Sequence, residues 1–185
     1  MTKALDFTSG YDSRRPPMLG HNAVATSQPL AAQAGMKMLQ LGGNAVDAAI
    51  ATAMALTVVE PTGNGIGSDA FAIVWDGEKL HGLNASGRSP ASWHADLFAG
   101  KSAVPEIGWD AVTVPGAVSG WVALAERFGT LPLTTLAQPA IDYARNGFPV
   151  SPLIGHLWQR GYSKLKDQPG FSACFAPEGR APRVG

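Results

Sequence analysis

The sequence predicts a single α+β domain in which several helices accompany one β-hairpin. Two stretches before residue 61 place apolar residues at helical spacing. A third stretch holds an Asp-Gly pair, Asp76 and Gly77, between two segments in which apolar residues partly alternate, and this pattern is typical of a hairpin turn. The 185 residues are enough for one ordinary domain and too few for two.

The N-terminal region is predicted to hold an arm, a short strand and a helix. Residues 1–21 contain adjacent prolines and little periodicity, so we interpret them as an arm that lies on a larger body. A strand is expected at residues 22–26. The helix then begins near Pro29, because proline suits a first turn, and it ends at Gly42.

A second helix is predicted between Asn44, which can cap it, and Pro61, which forbids its continuation. Asp47 lies three residues after Asn44 and is expected to complete a capping box. Apolar residues cover most of the helix circumference. This distribution indicates a helix that is buried on nearly all sides.

The glycine stretch at Gly63, Gly65 and Gly67 is interpreted as a tight connection. A dinucleotide-binding loop follows a strand and opens a helix, whereas here a helix comes first and a strand follows. The glycines are therefore expected to adopt positive φ angles in a turn. The hairpin that follows has predicted strands at about residues 69–75 and 79–85.

Three more helices are predicted, within residues 115–129, 134–147 and 152–166. The first places Trp121 on its apolar face. In the second, Thr135 and Gln138 are expected to form a capping pair at the N-terminus. The tail after residue 168 has no periodic pattern and no closing element.

Composition and charge narrow the range of partners. Fourteen basic residues balance fourteen acidic ones and no basic block stands out, which disfavours nucleic acid. Cys174 is the only cysteine, so the chain has no internal disulfide. The N-terminus lacks the apolar core of a secretory signal, and the apolar run at residues 48–59 is too short to span a bilayer. We therefore predict a cytoplasmic protein with no membrane partner.

Taken alone, the residues predict no catalytic machinery, no cofactor and no metal. The four histidines are widely spaced and form no zinc-type pair. Neither a G-x-S-x-G turn nor a phosphate-binding G-x-x-x-x-G-K motif occurs. The five tryptophans are interpreted as core or core-edge residues.

Two long segments resemble a known family. "VATSQPLAAQAGMKMLQLGGNAVDAAIATAMALTVVEPTGNGIGSDAFAIVWDG" and "VPGAVSGWVALAERFGTLPLTTLAQPAIDYARNGFPVS" are similar to the N-terminal part of the large subunit of γ-glutamyltranspeptidases, also called glutathione hydrolases. The similarity spans residue 22 to about residue 160. It implies a four-layer αββα sandwich of the N-terminal nucleophile hydrolase type, incomplete in this chain, with residues 22–185 as a partial large-subunit domain.

The resemblance also implies an enzyme whose nucleophile lies outside this chain. Family members are precursors that cut themselves into a large and a small subunit, and the new N-terminal Thr of the small subunit attacks the substrate. We therefore expect no catalytic residue in this chain. The expected partners are the rest of the large subunit, the small subunit, and a small γ-glutamyl or related acyl-amide substrate.

One substrate contact of the family is expected within the chain. The family's R-E-x-A-P segment aligns with "SGRSP", anchored at Pro90, and puts Ser86 where the arginine that binds the glutamate α-carboxylate belongs. Arg88 follows two residues later, and in an extended strand it would project to the same side about 7 Å along. We hypothesise that Arg88 takes over carboxylate recognition. The alternatives are a surface arginine or a substrate that is not γ-glutamyl.

Three functions remain open from the sequence. The first is hydrolysis or transfer of γ-glutamyl groups from glutathione and related amides. The second is the activity of a related glutaryl-amide or cephalosporin-type acylase. The third is a non-catalytic fragment that acts as a binding or structural module.

Overall fold

A computed structural model describes residues 19–185, so most of the expected N-terminal arm lies outside the described residues. Its regular elements, in chain order, are α1 (Pro29–Gln40), α2 (Ala45–Val59), β1 (Ala70–Trp75), β2 (Leu80–Ala85), α3 (Ala117–Phe128), α4 (Leu133–Asn146), α5 (Pro152–Leu165) and α6 (Phe171–Phe175). Two short 3-10 turns, Ala95–Phe98 and Trp109–Ala111, lie in the long connection between β2 and α3. The fold is thus mixed, with many helices and little sheet.

Helices α1 and α2 pack closely against each other. A Cβ atom on Gly35 of α1 would lie 2.3 Å from the Thr52 hydroxyl oxygen of α2, so only glycine permits this approach. Helix α1 begins at Pro29 as predicted, capped by the side-chain oxygen of Gln28. The strand predicted at residues 22–26 is wrong, because this segment has no neighbouring strand among the described residues to complete its hydrogen bonds.

Helix α2 begins with the predicted capping box. The Asn44 side-chain oxygen accepts the N–H groups of Val46 and Asp47 at 2.9 and 3.0 Å, and the Asp47 carboxylate accepts the N–H of Asn44 at 2.9 Å. Ile50, Ala51, Ala55 and Val59 are almost fully shielded from solvent. Ala45 and Ala49 are exposed, so the expected burial on nearly all sides is only partly confirmed. The cap therefore anchors a helix that lies in the core.

Asp47 does more than cap its own helix. Its side chain is fully buried and accepts hydrogen bonds from the N–H and hydroxyl of Thr130 and from the N–H of Leu131, in the connection between α3 and α4. Burial alone would raise the pKa of Asp47, but these bonds and the one from Asn44 outweigh it and hold that pKa below its usual range. The carboxylate is thus a charged link between distant parts of the chain.

Helices α3 and α4 complete the main core. Trp121 of α3 and Leu136 of α4 pack in one cluster with Met38 and Ile50, as predicted for Trp121. The predicted capping pair of Thr135 and Gln138 is wrong. Helix α4 already begins at Leu133 after Pro132, and the N–H of Thr135 bonds to the Pro132 carbonyl inside the first turn.

The β-hairpin is antiparallel and matches the prediction, with Trp75 paired to Leu80 beside the Asp76–Gly77 turn. Its inner face packs on α3. Its outer face carries Phe71, Ile73 and Trp75, whose exposed fractions are 67, 76 and 63%. Trp75 and the 89% exposed Trp109 therefore do not lie in a core of the described residues, contrary to expectation.

The C-terminal part is more regular than the sequence suggested. Helix α5 matches the predicted helix, and its N-cap Ser151 accepts the N–H of Ile154. The tail contains the short helix α6, where no element was expected; the Trp158 indole N–H donates to the carbonyl of Phe175 and holds α6 against α5. In the described part of the chain, no helix is both long enough and apolar enough to cross a membrane.

Candidate functional site

The predicted substrate-binding residues, Ser86 and Arg88, lie directly after the end of β2. The strand stops at Ala85, and Gly87 adopts a left-handed backbone with φ of +79°. The expectation that Ser86 and Arg88 sit on one side of an extended strand is therefore wrong. A positive φ between them breaks the alternation of an extended chain.

Ser86 and Arg88 nevertheless face the same cavity, of about 580 Å³. One wall is the end of β2 and the segment that follows it, and the other wall is the start of α3. The lining residues are Leu83, Asn84, Ala85, Ser86, Gly87, Arg88, Val114, Pro115, Gly116, Ser119, Gly120 and Ala123. A turn has thus brought together two side chains that strand geometry was expected to align.

Arg88 is exposed, and its guanidinium has no hydrogen-bond or ion-pair partner among residues 19–185. Ser86 is half-buried, and its N–H donates to the side-chain oxygen of Asn84 at 2.9 Å. A guanidinium offers two parallel N–H donors in a fixed plane, which matches the two oxygens of a carboxylate. The cavity can therefore bind an anionic group, with the Ser86 hydroxyl as a neutral neighbour.

Backbone contacts hold the walls of the cavity together. The N–H of Val114 donates to the carbonyl of Arg88 at 2.9 Å. The N–H groups of Gly116 and Ala117 both donate to the carbonyl of Ser68, at 3.1 and 3.0 Å. The start of α3 is thus bonded both to the candidate site and to the end of the glycine stretch.

The glycine stretch forms the predicted turns between α2 and β1 but not with the predicted backbone. None of Gly63, Gly65 and Gly67 has a positive φ angle. Gly65 and Gly67 also have no atom within 4 Å of where a Cβ would stand. The expectation of positive φ is therefore wrong, and within the described residues these turns form without a left-handed glycine.

A second polar cluster, which sequence reasoning missed, lies at the opposite end of β2. The ring nitrogen Nε2 of His81 is 2.6 Å from the Asp76 carboxylate, and Nδ1 is 3.1 Å from the Arg127 guanidinium. Because Arg127 can only donate, Nδ1 accepts and Nε2–H donates to Asp76. Hydrogen bonds from the N–H of Lys79, the His81 ring and the N–H of Glu78 hold the pKa of Asp76 well below its usual range.

This second cluster braces the hairpin on α3 rather than forming part of the cavity. Arg127 and Phe128 belong to α3, and the Phe128 ring lies 5.0 Å from the His81 ring. Its members do not line the 580 Å³ cavity. The signal in the sequence was too weak to find it, because the three polar residues are up to 51 positions apart (127 − 76).

Comparison with known proteins places the chain in a family. A sequence model described as gamma-glutamyltranspeptidase matches residues 31–185. The chain is 40% identical over 165 residues to the glutathione hydrolase-like YwrD proenzyme of Bacillus subtilis, covering 88% of this chain and 31% of that protein. It is 36% identical over 196 residues to the acylase ACY 1 proenzyme of a Pseudomonas species, covering 99% of this chain and 34% of that protein.

Solved structures agree with the sequence matches. A cephalosporin acylase from Bacillus halodurans superposes with a TM-score of 0.81 at 49% identity, over 96% of this chain and 36% of that one. A γ-glutamyltranspeptidase from Helicobacter pylori superposes with a TM-score of 0.84 at 29% identity, over 92% of this chain and 51% of that one.

The chain spans about a third of the length of the curated relatives that it matches. Within that span, the fold, the family model and the sequence identity agree with one another. The chain belongs to the γ-glutamyltranspeptidase family.

Proposed function

We propose that this chain is the N-terminal portion of the large subunit of an acyl-amide hydrolase or acyltransferase, and that its own task is to bind the carboxylate of the acyl group. The observation that carries the proposal is Arg88, an exposed residue that lines a 580 Å³ cavity together with Ser86 and whose guanidinium has no partner among the described residues. A charge in such a place suits an anionic ligand.

The nucleophile comes, in this proposal, from polypeptide outside these residues. The cavity lining, drawn from residues 83–88 and 114–123, contains two serines and an arginine but no histidine or carboxylate that could serve as a base. A Thr at a newly formed N-terminus needs no such partner, since its own α-amino group accepts the proton of its hydroxyl. The relatives that carry the word proenzyme in their names are consistent with an N-terminus made by cleavage.

The four-layer αββα sandwich is the fold that we propose for the complete protein. In the described residues, α3 packs on one face of the hairpin, and the other face is apolar and open. A second β-sheet of the same polypeptide would bury Phe71, Ile73 and Trp75 in the way two sheets pack in a sandwich. The outer edges of β1 and β2 pair with no other strand among residues 19–185, and this supports the same proposal, since a longer sheet would satisfy their backbone groups.

The substrate that the observations favour is a monoamide of a dicarboxylic acid, and a γ-glutamyl amide is one example. Recognition of γ-glutamyl requires a hydrogen-bond donor with positive charge for the carboxylate, and Arg88 can provide both. An acylase acting on glutaryl-type amides is the second candidate. Two points favour it. The alignment anchored at Pro90 puts Ser86 where the family's arginine belongs, and the cephalosporin acylase is 49% identical to this chain.

The test uses the complete gene product and three anilides, with γ-glutamyl, glutaryl and valeryl acyl groups. The valeryl group replaces the glutaryl carboxylate by a methyl group at nearly the same length. In the Arg88→Ala variant we expect kcat/KM on the two anionic anilides to fall about 10- to 100-fold, since hydrogen bonds to a charged group contribute about 1.5 to 3 kcal/mol. Turnover of the valeryl anilide should stay within about twofold.

Two controls frame this result. Arg160→Ala removes an exposed guanidinium from α5 and should leave all three rates unchanged. The ratio of the γ-glutamyl to the glutaryl rate in the unaltered enzyme separates the two candidate substrates. Equal kcat/KM values for the Arg88→Ala and unaltered enzymes on every anilide would remove Arg88 from the site.

A further inference from the structure

Backbone hydrogen bonds join three segments of the chain beside the Arg88 cavity. The segments are the end of the glycine stretch at Ser68, the segment from Ala85 to Arg88, and the segment from Val114 to Ala117. The two N–H bonds to the Ser68 carbonyl and the bond from Val114 to Arg88 tie all three together. The three segments therefore form a backbone junction.

Gly87 occupies this junction for two independent reasons. Its φ of +79° is a conformation that residues with a Cβ rarely adopt. A Cβ placed there would also lie 1.9 Å from the carbonyl oxygen of Val114, about half an ordinary contact distance. A side chain at this position must push the Val114 backbone away.

Gly116 closes the junction from the other side. Its Cβ would lie 2.1 Å from the Ala85 carbonyl oxygen and 2.8 Å from the Gly87 nitrogen. By contrast, Gly100 and Gly108 share the left-handed backbone, with φ of +78° and +96°, but nothing lies within 4 Å of their Cβ positions. Left-handed turns thus recur in the connection after β2, and only the one at Gly87 is also packed.

The junction controls the position of Arg88. The backbone of Arg88 is held between the Gly87 turn on one side and the hydrogen bond from Val114 on the other. Arg88 therefore lines the cavity that it shares with Ser86 from a fixed backbone position. Pushing Val114 outward would break that bond and move the base of the side chain.

We propose that Gly87 is a positioning residue that sets the acyl-group specificity of the site by fixing Arg88. This inference rests on the proposed function of Arg88. Bidentate binding of a carboxylate requires both of its oxygens to lie close to the plane of the guanidinium. A misplacement of about 1 Å can lower the reaction rate about 100-fold. Gly87 therefore affects the binding of anionic acyl groups and not the chemical step that follows.

The experiment compares Gly87→Ala with Gly100→Ala in the complete gene product, using the glutaryl and valeryl anilides. Both substitutions add the same methyl group to a left-handed backbone, but only the one at residue 87 meets another atom. We expect Gly87→Ala to raise KM for the glutaryl anilide at least 10-fold and to leave valeryl turnover within about twofold. Gly100→Ala should leave the ratio of the two substrates unchanged.

A purely structural role gives a different result. Loss of folded enzyme lowers the turnover of both substrates by the same factor and leaves KM unchanged, so a constant ratio in soluble Gly87→Ala enzyme overturns the proposal. If Gly87→Ala yields no soluble enzyme, Gly87→Asn takes its place. Asn adopts a left-handed backbone more readily than Ala, and its Cβ still meets the Val114 carbonyl oxygen. The same constant ratio in that variant overturns the proposal.

Combining the variants separates this inference from the proposed function. If Gly87 acts through Arg88, adding Gly87→Ala to the Arg88→Ala enzyme causes no further change in the substrate ratio. An unchanged ratio in Arg88→Ala alone contradicts the proposed function. A changed ratio in Arg88→Ala with no change in Gly87→Ala contradicts only the positioning role of Gly87.

Discussion

The helices around α2 and the β-hairpin differ in how far their apolar side chains are buried by the described residues. Met38, Ile50 and Leu136, from α1, α2 and α4, are almost fully shielded from solvent. On the hairpin, only the face toward α3 is covered, and the large side chains of the other face stay mostly exposed. The helices bury one another's apolar side chains within residues 19–185, whereas only one of the two faces of the hairpin is covered there.

The difference follows from where the partners lie in the sequence. Helices α1 and α2 are neighbours along the chain, so their contact closes early and costs little loop entropy. A two-stranded sheet is marginal by itself and needs more strands or a second layer. The candidate site lies at the border of the two regions, with one wall on the hairpin and one on α3.

The most disruptive way to break the helical layer is to remove the Asp47 carboxylate. Asp47→Ala leaves the buried donors of Thr130 and Leu131 without their acceptor, and we expect it to lower the free energy of unfolding by at least about 3 kcal/mol. Urea unfolding of the complete gene product measures this. Asp167→Asn, an exposed carboxylate, is the control and should change stability by less than about 0.5 kcal/mol. A loss below about 1 kcal/mol for Asp47→Ala would show that this layer does not depend on the link.

Two substitutions at Ile73 test whether the outer face of the hairpin is buried in the complete gene product. Val and Thr have nearly the same shape, so Ile73→Val and Ile73→Thr differ mainly by one hydroxyl. If a second sheet covers this face in the complete gene product, the Thr variant should unfold more easily than the Val variant by about 1 to 3 kcal/mol. Two variants of equal stability would show that the face stays in water and would contradict the proposed sandwich.

The smallest effect is expected at Asp76, in the hairpin turn. Its folded-state pKa is lowered, so the carboxylate stabilises the fold above its ordinary pKa of about 3.8 and loses that contribution as the pH falls. Asp76→Asn should therefore be slightly less stable than the unaltered protein at pH 7, and the gap should begin to narrow as the pH falls below about 3.8. Unfolding curves from pH 7 to pH 2.5 measure the difference. A gap that stays constant with pH would exclude the charge as its cause.

Features set by neighbouring residues were predictable from the sequence. The capping box of Asn44 and Asp47 and the Asp76–Gly77 turn each depend on residues within a few positions, and both are confirmed. The start of α4 was misplaced because Pro132 begins the helix before the expected cap at Thr135. Local chemistry thus predicts an element well when a single signal dominates.

Features set by distant residues were not predictable. Nothing near Asp47 indicates that its main partner is Thr130, 83 residues away. Ser86 and Arg88 do face one cavity, but they reach it through the left-handed turn at Gly87 and not through strand alternation. The close approach of the Val114 backbone to Gly87 could not be predicted, because the sequence around a loop glycine is the same whether or not a distant segment packs against it.

The bond between Arg88 and Val114 also joins the two ends of the excursion formed by residues 89–113. Because the excursion leaves and returns at one point, its length can change without moving either wall of the cavity, and a doubling of length costs only about 0.6 kcal/mol of closure entropy. New sequence can therefore be inserted here, beside the candidate site, while Arg88 stays where it is.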